Sequence, residues 1–203
     1  SSISNSMLKK VKLKSIHNSP FYFPNWVSSE KINPKTSNKH RFINSEKFTL
    51  LYSGNIGEKQ NWDFLIDLCK LILTSDNIEI VIAGDGAYKN TLQKQLDSFL
   101  FVRFYNPVPY DELNDLLCSA NIHFLFQKNE VVDTVMPSKI LAMMASAIPS
   151  IITGNRNSEV ASIIEQSNGG FYFSDNNVAT VYEKILDIKN NNVNNACNNA
   201  RNY

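Results

Sequence analysis

One stretch of the chain, residues 130–153, combines side chains and a predicted helix start that together suit an anion. A helix is predicted to begin at Pro137, because proline is favoured at the first helical position, where its missing N–H leaves no donor unpaired. The free amides of a first helical turn, with the positive end of the helix dipole, attract anions. Ser138 can add a hydroxyl donor and Lys139 a positive charge. The pattern predicts a phosphate site, and the alternative is that Lys139 only points to solvent.

Two glycine-containing turns follow predicted strands earlier in the chain. Residues 54–59 read Gly-Asn-Ile-Gly-Glu-Lys, in which the glycines allow close approach of backbone to a ligand and Lys59 could neutralise a phosphate. The alternative is an ordinary strand-to-helix turn with a solvated lysine. Gly84 and Gly86 flank an aspartate in the second turn, and this turn either lines a ligand cleft or is an ordinary tight turn. Neither turn has the spacing of a P-loop or of the GxGxxG dinucleotide pattern.

The other candidate positions each allow a structural and a functional interpretation. Pro107 and Val108 belong to a proline-rich connection that either stiffens the chain or meets a nucleotide base. Glu130 and Asp133 either lie in a solvated loop or contact a sugar hydroxyl and order the loop. His123 alternates with apolar residues in a buried strand and is predicted to be a hydrogen-bonded core histidine. The chain contains no DxD pair to hold a metal on a diphosphate, so no metal is expected.

Composition excludes several functional classes. The 203 residues carry a formal net charge of +1 with acids and bases interspersed, which gives no electrostatic basis for binding nucleic acid or a membrane surface. The three cysteines are far apart, so we expect reduced thiols in a cytoplasmic protein, with Cys69 and Cys118 buried. No apolar run approaches the roughly 18 residues that a membrane-spanning helix needs. The chain begins and ends without helix signals and is interpreted as a fragment.

Six short apolar runs, separated by helical patterns, must position these residues. Strands that are apolar on both faces and alternate with helices predict an α/β fold, a Rossmann-like parallel sheet of about six strands with helices on both faces. Ligands of such sheets bind beyond the carboxyl ends of the strands, where the candidate residues lie. The Asn-rich residues 190–199 are predicted to form a poorly ordered turn. The predicted strands are 48–52, 78–83, 101–105, 122–126, 150–153 and 170–173.

Five segments in colinear order resemble the C-terminal half of family 4 glycosyltransferases of the GT-B fold, most of all bacterial enzymes of capsule, O-antigen and colanic-acid assembly. The resemblance covers about residues 48–203, which would form the nucleotide-sugar-binding domain. Residues 1–27 resemble the end of the N-terminal acceptor domain, and 28–47 would be the linker. The segments are Tyr52-Ser-Gly-Asn-Ile-Gly-Glu-Lys59, Ile82-Ala-Gly-Asp-Gly86, Phe104-Tyr-Asn-Pro-Val-Pro-Tyr-Asp-Glu-Leu113, Ala120-Asn-Ile122 and Pro137-Ser-Lys through Ala145-Ser-Ala-Ile-Pro149.

The resemblance implies an enzyme that uses a nucleotide-diphosphate sugar, retains the anomeric configuration and needs neither a metal nor another cofactor. Lys59 matches the family lysine on the donor diphosphate, and Gly54 precedes Asn55, where the family usually has arginine. Pro107 and Val108 match the loop whose backbone meets the base. The stretch that matches the family's distal-phosphate site comprises Val135, Met136, Pro137, Ser138 and Lys139.

The chain departs from the family at its two glutamates, which lie eight positions apart and would fall on Thr134 and Ala142. Glu130 or Asp133 could replace the first as a catalytic carboxylate. Thr134 keeps a place in the expected donor site through its position before Val135. Nothing in the sequence replaces the second glutamate.

The resemblance also implies partners that this stretch of sequence does not itself contain. The sugar would pass to a glycan or lipid-linked acceptor held by the N-terminal domain, in cell-surface polysaccharide biosynthesis, with possible peripheral association of the full-length enzyme at the inner face of the plasma membrane. The isolated chain is therefore expected to be inactive. Two alternatives stay open: a nucleotide-binding or interaction module without catalysis, and a half resembling a sugar-nucleotide 2-epimerase.

Overall fold

The computed structural model of the protein describes residues 27, 28, 30–131, 139–191 and 194–202. Its centre is one sheet of six parallel strands in the order β3-β2-β1-β4-β5-β6. The sequence order reverses between β1 and β4, as in a Rossmann fold. The predicted α/β sheet is confirmed. The strands are β1 (Phe48–Ser53), β2 (Ile78–Ala83), β3 (Val102–Tyr105), β4 (Ile122–Phe126), β5 (Ser150–Thr153) and β6 (Gly170–Phe173).

Helices connect successive strands, and local sequence sets several of their first turns. Asn61 accepts the amide of Phe64 at 3.2 Å, and Ser158 accepts that of Ala161 at 3.1 Å. Such side chains satisfy amides that have no partner within the helix. Among the described residues no helix is long and apolar enough to cross a membrane. The helices are α1 (Trp62–Leu71), α2 (Lys89–Leu96), α3 (Leu113–Ser119), α4 (Lys139–Ala145), α5 (Glu159–Ser167), α6 (Val178–Asn190) and α7 (Asn194–Asn202), with 3₁₀ turns at Thr74–Asp76 and Tyr110–Glu112.

Alternate residues of the central strands pack into two apolar layers, one on each face of the sheet. Leu50 of β1 faces the layer that contains residues of α1, α2 and α6, whereas Leu51 faces the layer that contains residues of α3. Burial of each such side chain stabilises the fold by about 1.5–3 kcal/mol. Because both faces are covered, the strands read as continuous apolar runs, and the site can open only at the ends of the strands.

The prediction for the Asn-rich C-terminal stretch is wrong, because residues 194–202 form α7. Ala200 is buried and packs against Gly169, where a side chain would overlap its Cα atom. Arg201 donates to the carbonyl oxygens of Ile32, at 2.9 Å, and of Ala145. These contacts with distant residues stabilise a helix that asparagine-rich sequence disfavours.

Residues 30–47, called here the docked segment, contain neither helix nor strand, yet they pack on the domain. Ile32 and Ile43 are only 3% and 5% exposed and join the apolar layer beside α3. Asn114 accepts the amide of Asn33 at 2.7 Å, so the segment is also held by polar contacts. Its assignment as an interdomain linker stays a prediction. Of residues 1–27, predicted to end the acceptor domain, residues 1–26 lie outside the described part of the chain.

The cysteines are free thiols in the structure. Cys69 is buried in α1 as predicted, and burial raises its pKa to about 12. Cys118 is half-buried in α3, so the prediction of full burial is wrong for this residue. Cys118 packs against the apolar layer that also contains residues of the docked segment, and desolvation raises the pKa of its thiol.

Candidate functional site

The carboxyl edge of the sheet brings together the turns that sequence analysis singled out. A cavity of about 290 Å³ lies where the chain leaves β1, β2 and β3. Five of the predicted site residues contribute to its lining, although they are far apart in sequence. The described lining consists of Ser53, Gly54, Asn55, Ala83, Gly84, Asp85, Pro107, Val108 and Leu113.

Four of these lining residues were not named individually as site residues from the sequence, namely Ser53, Ala83, Asp85 and Leu113. Asp85 lies between Gly84 and Gly86, within a turn already considered as a cleft lining. Ser53 and Ala83 directly precede the glycines of the two turns, so extending each turn by one residue includes them. Leu113 begins α3, and its apolar side chain carried only the signal of a helix core residue. Its place in the cavity depends on how α3 sits against the sheet.

The two glycine turns interlock through their backbones. Gly54 donates its amide to Ala83 at 3.0 Å, and Ile56 donates to Asp85 at 2.8 Å. A Cβ atom on Gly84 would overlap the carbonyl oxygen of Gly54, and one on Gly86 would overlap that of Ile56. Gly86 lies outside the described lining, and its φ of +154° also favours glycine. The glycines thus allow two loops to approach each other, in addition to any ligand contact.

Lys139 lies directly beside this edge and does not extend into solvent. Its Nζ atom is 3.8 Å from the ring centroid of Tyr52 and 3.5 Å from where a Cβ atom on Gly54 would lie. Among the described residues, no carboxylate lies within ion-pair distance of it. Burial lowers the pKa of Lys139 to about 7, because desolvation disfavours the charged form. The solvated interpretation of Lys139 is therefore wrong.

The aromatic ring under Lys139 also holds the first glycine turn. Tyr52 donates its hydroxyl to the carbonyl oxygen of Asn55 at 2.5 Å, and its ring packs edge-on against Trp62. A cation over an aromatic face is stabilised by the ring quadrupole. The sequence pattern marks Tyr52 only as a strand residue and does not indicate this contact, because Lys139 is 87 positions away in the chain.

Lys59 takes a different position from Lys139. Its side chain is exposed, but its carbonyl oxygen accepts the amide of Lys128 at 3.1 Å. Gln60 and Gln127 form an antiparallel bridge next to that bond. The backbone around Lys59 is thus fixed against the residues that follow β4, although Lys59 is not in the described lining of the cavity.

The loop after β4 is described only in part. Glu130 is exposed, consistent with either interpretation of this carboxylate. Asp133 and the expected donor residues Thr134, Val135, Met136, Pro137 and Ser138 lie outside the described residues. Helix α4 is described from Lys139 onward, and Ile140, Met143 and Met144 on it are buried. Within the described part of the chain, no group of three or more His, Cys, Asp and Glu residues could hold a metal ion.

The histidines in the described part serve structural contacts. His123 is 1% exposed, and its Nε2 atom lies 3.0 Å from Ser146 Oγ, so the predicted core histidine is confirmed. Burial lowers its pKa to about 3. His40 is also buried, and its Nε2 atom lies 3.1 Å from Glu112. Neither lies in the cavity lining.

The family model for glycosyl transferases group 1 matches residues 34–203. The chain belongs to this family. The match includes most of the docked segment and every described strand, so the family covers both the cavity and the loops that form it.

Two curated bacterial proteins show the same similarity along most of the chain. The glycosyl transferase WcaI of Escherichia coli K12, named for colanic acid biosynthesis, is 29% identical over 83% of this chain and 44% of its own length. The glycosyltransferase WbjE of Pseudomonas aeruginosa is 21% identical over 82% of this chain and 43% of its length. The chain therefore spans less than half the length of these relatives.

Solved structures show the fold. HepE of Anabaena superposes with a TM-score of 0.78 at 11% identity, over 99% of this chain and 57% of that chain. TarM of S. aureus superposes with a TM-score of 0.74 at 16% identity, over 98% of this chain and 39% of that chain. With the strand order, these matches give the group 1 chain the Rossmann-like half of a GT-B fold.

Proposed function

We propose that the chain is the donor-binding half of a retaining glycosyltransferase that transfers a sugar from a nucleotide-diphosphate sugar. The observation that carries the proposal is the joint placement of the 290 Å³ cavity and the Lys139 ammonium at one edge of the sheet. The cavity can take a nucleoside, and the lysine can neutralise a phosphate. Family membership supports the reaction class.

The cavity has an apolar side that suits a base and a polar side that suits phosphate. Pro107, Val108 and Leu113 give it an apolar wall. The first glycine turn adds Gly54 and Asn55 to the same lining, and Lys139 lies beside Gly54. A nucleoside diphosphate has the same division between a flat base and a charged diphosphate. UDP is bound in the structures of HepE and of the TarM mutant, which have this fold.

Catalysis would come from stabilising the leaving group. As the bond between the sugar and the diphosphate breaks, negative charge grows on the phosphate oxygens, and fixed positive groups stabilise that state more than the ground state. Lys139 and the exposed Lys59 are the described cations we assign to this role. Amides of the first turn before Lys139 would add donors, and Glu130 or Asp133 would meet the sugar. We propose that no metal takes part, so the lysines supply the charge.

The acceptor belongs to a part of the enzyme beyond this chain. We propose that a glycan or lipid-linked acceptor binds an N-terminal domain, and that the full-length enzyme works on cell-surface polysaccharide in the cytoplasm, at the inner face of the plasma membrane when the acceptor is a lipid. The name of WcaI refers to one such polysaccharide. The 203-residue chain alone would bind the donor without transferring the sugar.

Calorimetric titration of the chain with UDP, GDP, ADP and inorganic pyrophosphate tests the proposal. We expect one nucleoside diphosphate to bind in the micromolar to millimolar range and more tightly than pyrophosphate, because both sides of the cavity then contribute. A Lys139→Met variant removes the charge but keeps the volume of the stem, and it should weaken binding. If no nucleotide binds, the interaction-module alternative is favoured instead. If a nucleotide binds and full-length enzyme interconverts nucleotide-sugars without an acceptor, the epimerase alternative is favoured.

A further inference from the structure

The loop from Tyr105 to Glu112, called here the 105–112 loop, carries the apolar wall of the cavity. Pro107 and Val108 at its middle line the cavity, and no strand pairing supports them. Near the start of the loop, Lys89 of α2 donates to Asn106 Oδ1 at 2.8 Å. The position of Pro107 and Val108 therefore depends on the contacts that fix the two ends of the loop.

The first end of the loop is held by an aromatic stack. The rings of Phe42 and Tyr105 are parallel within 7°, with centroids 3.9 Å apart. Phe42 belongs to the docked segment, whereas Tyr105 is the last residue of β3. The stack fixes the direction in which the chain leaves β3, because a stacked ring restricts the side chain and so the backbone beneath it.

The other end is held by the two residues that precede Phe42. Glu112 Oε2 lies 3.1 Å from His40 Nε2 and 2.5 Å from Arg41 Nη1. The Phe42 amide donates to His40 Nδ1 at 3.2 Å, so Nε2 carries the hydrogen and donates it to Glu112. Glu112 closes the 3₁₀ turn that ends the loop. Three consecutive residues thus hold both ends of one loop.

The three residues are themselves fixed in place. His40 is 5% exposed, and its amide donates to Ser119 Oγ of α3 at 2.8 Å. The Arg41 guanidinium lies 5.1 Å from the Phe42 ring centroid. A rigid support of this kind differs from a flexible linker, which would impose no spacing on the loop.

We propose that His40, Arg41 and Phe42 form a positioning clamp that holds the 105–112 loop at the spacing required by the nucleoside of the donor. This inference rests on the function proposed above, and it assigns a binding role to a segment otherwise expected to be only a linker. The clamp touches no donor atom. It acts by keeping Pro107 and Val108 in place before the nucleoside arrives, so that binding does not have to order the loop.

The clamp makes a prediction that distinguishes positioning from general stability. Loosening the loop should lower the affinity for a ligand that has a nucleoside. It should not lower the affinity for a ligand that has only phosphates, because other turns form the phosphate side of the cavity. Phe42→Leu removes the stack. Arg41→Met removes the Arg41 contact with Glu112, and because this side chain is 63% exposed, we expect the variant to fold. Each change should lower the affinity for the nucleoside diphosphate by roughly fivefold to tenfold. This is the expected cost when binding has to order one or two additional side chains.

The experiment titrates the 203-residue chain and its variants with the nucleoside diphosphate that the unaltered chain prefers, and separately with inorganic pyrophosphate. We expect pyrophosphate affinity to stay within about twofold in each variant, since a change of that size is below the cost of ordering one side chain. Phe42→Tyr keeps a stacking ring and should retain nucleotide affinity. Lys39→Met is the matched control, because Lys39 neighbours the clamp but donates to Ser119 rather than to the loop.

Two outcomes overturn the clamp while leaving the proposed function intact. One is unchanged nucleotide affinity in both Phe42→Leu and Arg41→Met, with both variants folded by circular dichroism. The other is an equal loss of nucleotide and pyrophosphate affinity, or the same loss in Lys39→Met, which would indicate general loosening. An unaltered chain that binds pyrophosphate but no nucleotide overturns the proposed function and the clamp together.

Discussion

The Nζ atom of Lys139 lies 3.8 Å from the ring centroid of Tyr52, although the two residues belong to different elements, α4 and β1. The contact places a basic group at the crevice between β1 and β4, where the strand order reverses. Burial disfavours its charged form, and the aromatic ring offsets only part of that cost. A bound phosphate would offset the rest. Charge at Lys139 and donor binding are therefore coupled.

This coupling predicts how donor affinity depends on pH. In the empty site the pKa of Lys139 is about 7, and a bound diphosphate should raise it, so binding takes up a proton above pH 7. Affinity for the nucleoside diphosphate should fall by up to roughly tenfold per pH unit as the pH rises from 7 to 9. The terminal phosphate does not contribute in this range, because its second pKa is about 6. Calorimetry in buffers of different ionisation enthalpy also measures the proton uptake.

A Lys139→Met variant is the control for that pH dependence. It should bind the diphosphate more weakly than the unaltered chain at pH 7, and its affinity should stay constant between pH 7 and 9. If the affinity of the unaltered chain does not change over this range, Lys139 is already paired with another negatively charged group and keeps its charge without the ligand.

Lys59→Ala should reduce turnover of the full-length enzyme far more than it reduces stability. Loss of one charge that stabilises the leaving diphosphate typically costs about 2.7–4 kcal/mol in the transition state, or roughly 10²–10³-fold in kcat. The exposed side chain makes no core contact, so the melting temperature should change little. Lys94→Ala, an exposed change on α2, is the matched control and should leave kcat unchanged. Normal turnover in Lys59→Ala would remove the role assigned to Lys59.

Gly84→Ala should lower the stability of the fold itself, independently of any effect on ligand binding. The added Cβ would overlap the Gly54 carbonyl oxygen, so the two glycine turns would have to separate. We expect a loss of about 1–3 kcal/mol in the free energy of unfolding, measured with urea, as is usual for overpacked sites.

Gly57→Ala is the control for this prediction, because its Cβ would meet only the flexible side chains of Asn55 and Gln60. The loss of stability should then be clearly smaller than for Gly84→Ala. Equal values for the two variants would show that backbone contact at Gly84 is not the cause.

His123 should make the chain sensitive to acid. The folded-state pKa is about 3, below the ordinary value of 6.5, so the unfolded state binds more protons between these values. The stability contributed by the neutral histidine is complete above pH 6.5 and is lost as the pH falls towards 3, by about 4–5 kcal/mol in total. Urea unfolding at pH 7, 6 and 5 measures the slope.

The matched variant for the acid effect is His123→Gln, which keeps a polar group near Ser146 but does not titrate. It should be less stable than the unaltered chain at pH 7 and lose less stability between pH 7 and 5. Parallel pH curves for the two proteins would place the acid sensitivity in other groups.

Local pattern was enough to predict the sheet. Apolar runs such as 78–83 and 122–126 were located to the residue, because a strand covered on both faces has to be apolar throughout and polar turns bound it. The same reasoning placed Gly54, Gly84 and Val108 at one edge, since the carboxyl ends of parallel strands meet there. The C-terminal helix was missed because its own sequence disfavours helix, and contacts with distant residues, such as Ala200 with Gly169 and Arg201 with Ile32, stabilise it.

The sequence by itself thus determined the strand and helix pattern, the parallel sheet and the edge at which a ligand would bind, because these depend on the spacing of neighbouring residues. Only the tertiary structure decided that Lys139 lies over Tyr52, that Leu113 joins the cavity, and that Phe42 stacks on Tyr105. The two ring contacts join residues 87 and 63 positions apart, and Leu113 meets the two glycine turns from a different element. The geometry of these contacts depends on how helices and loops settle on the sheet, which no local pattern of residues records.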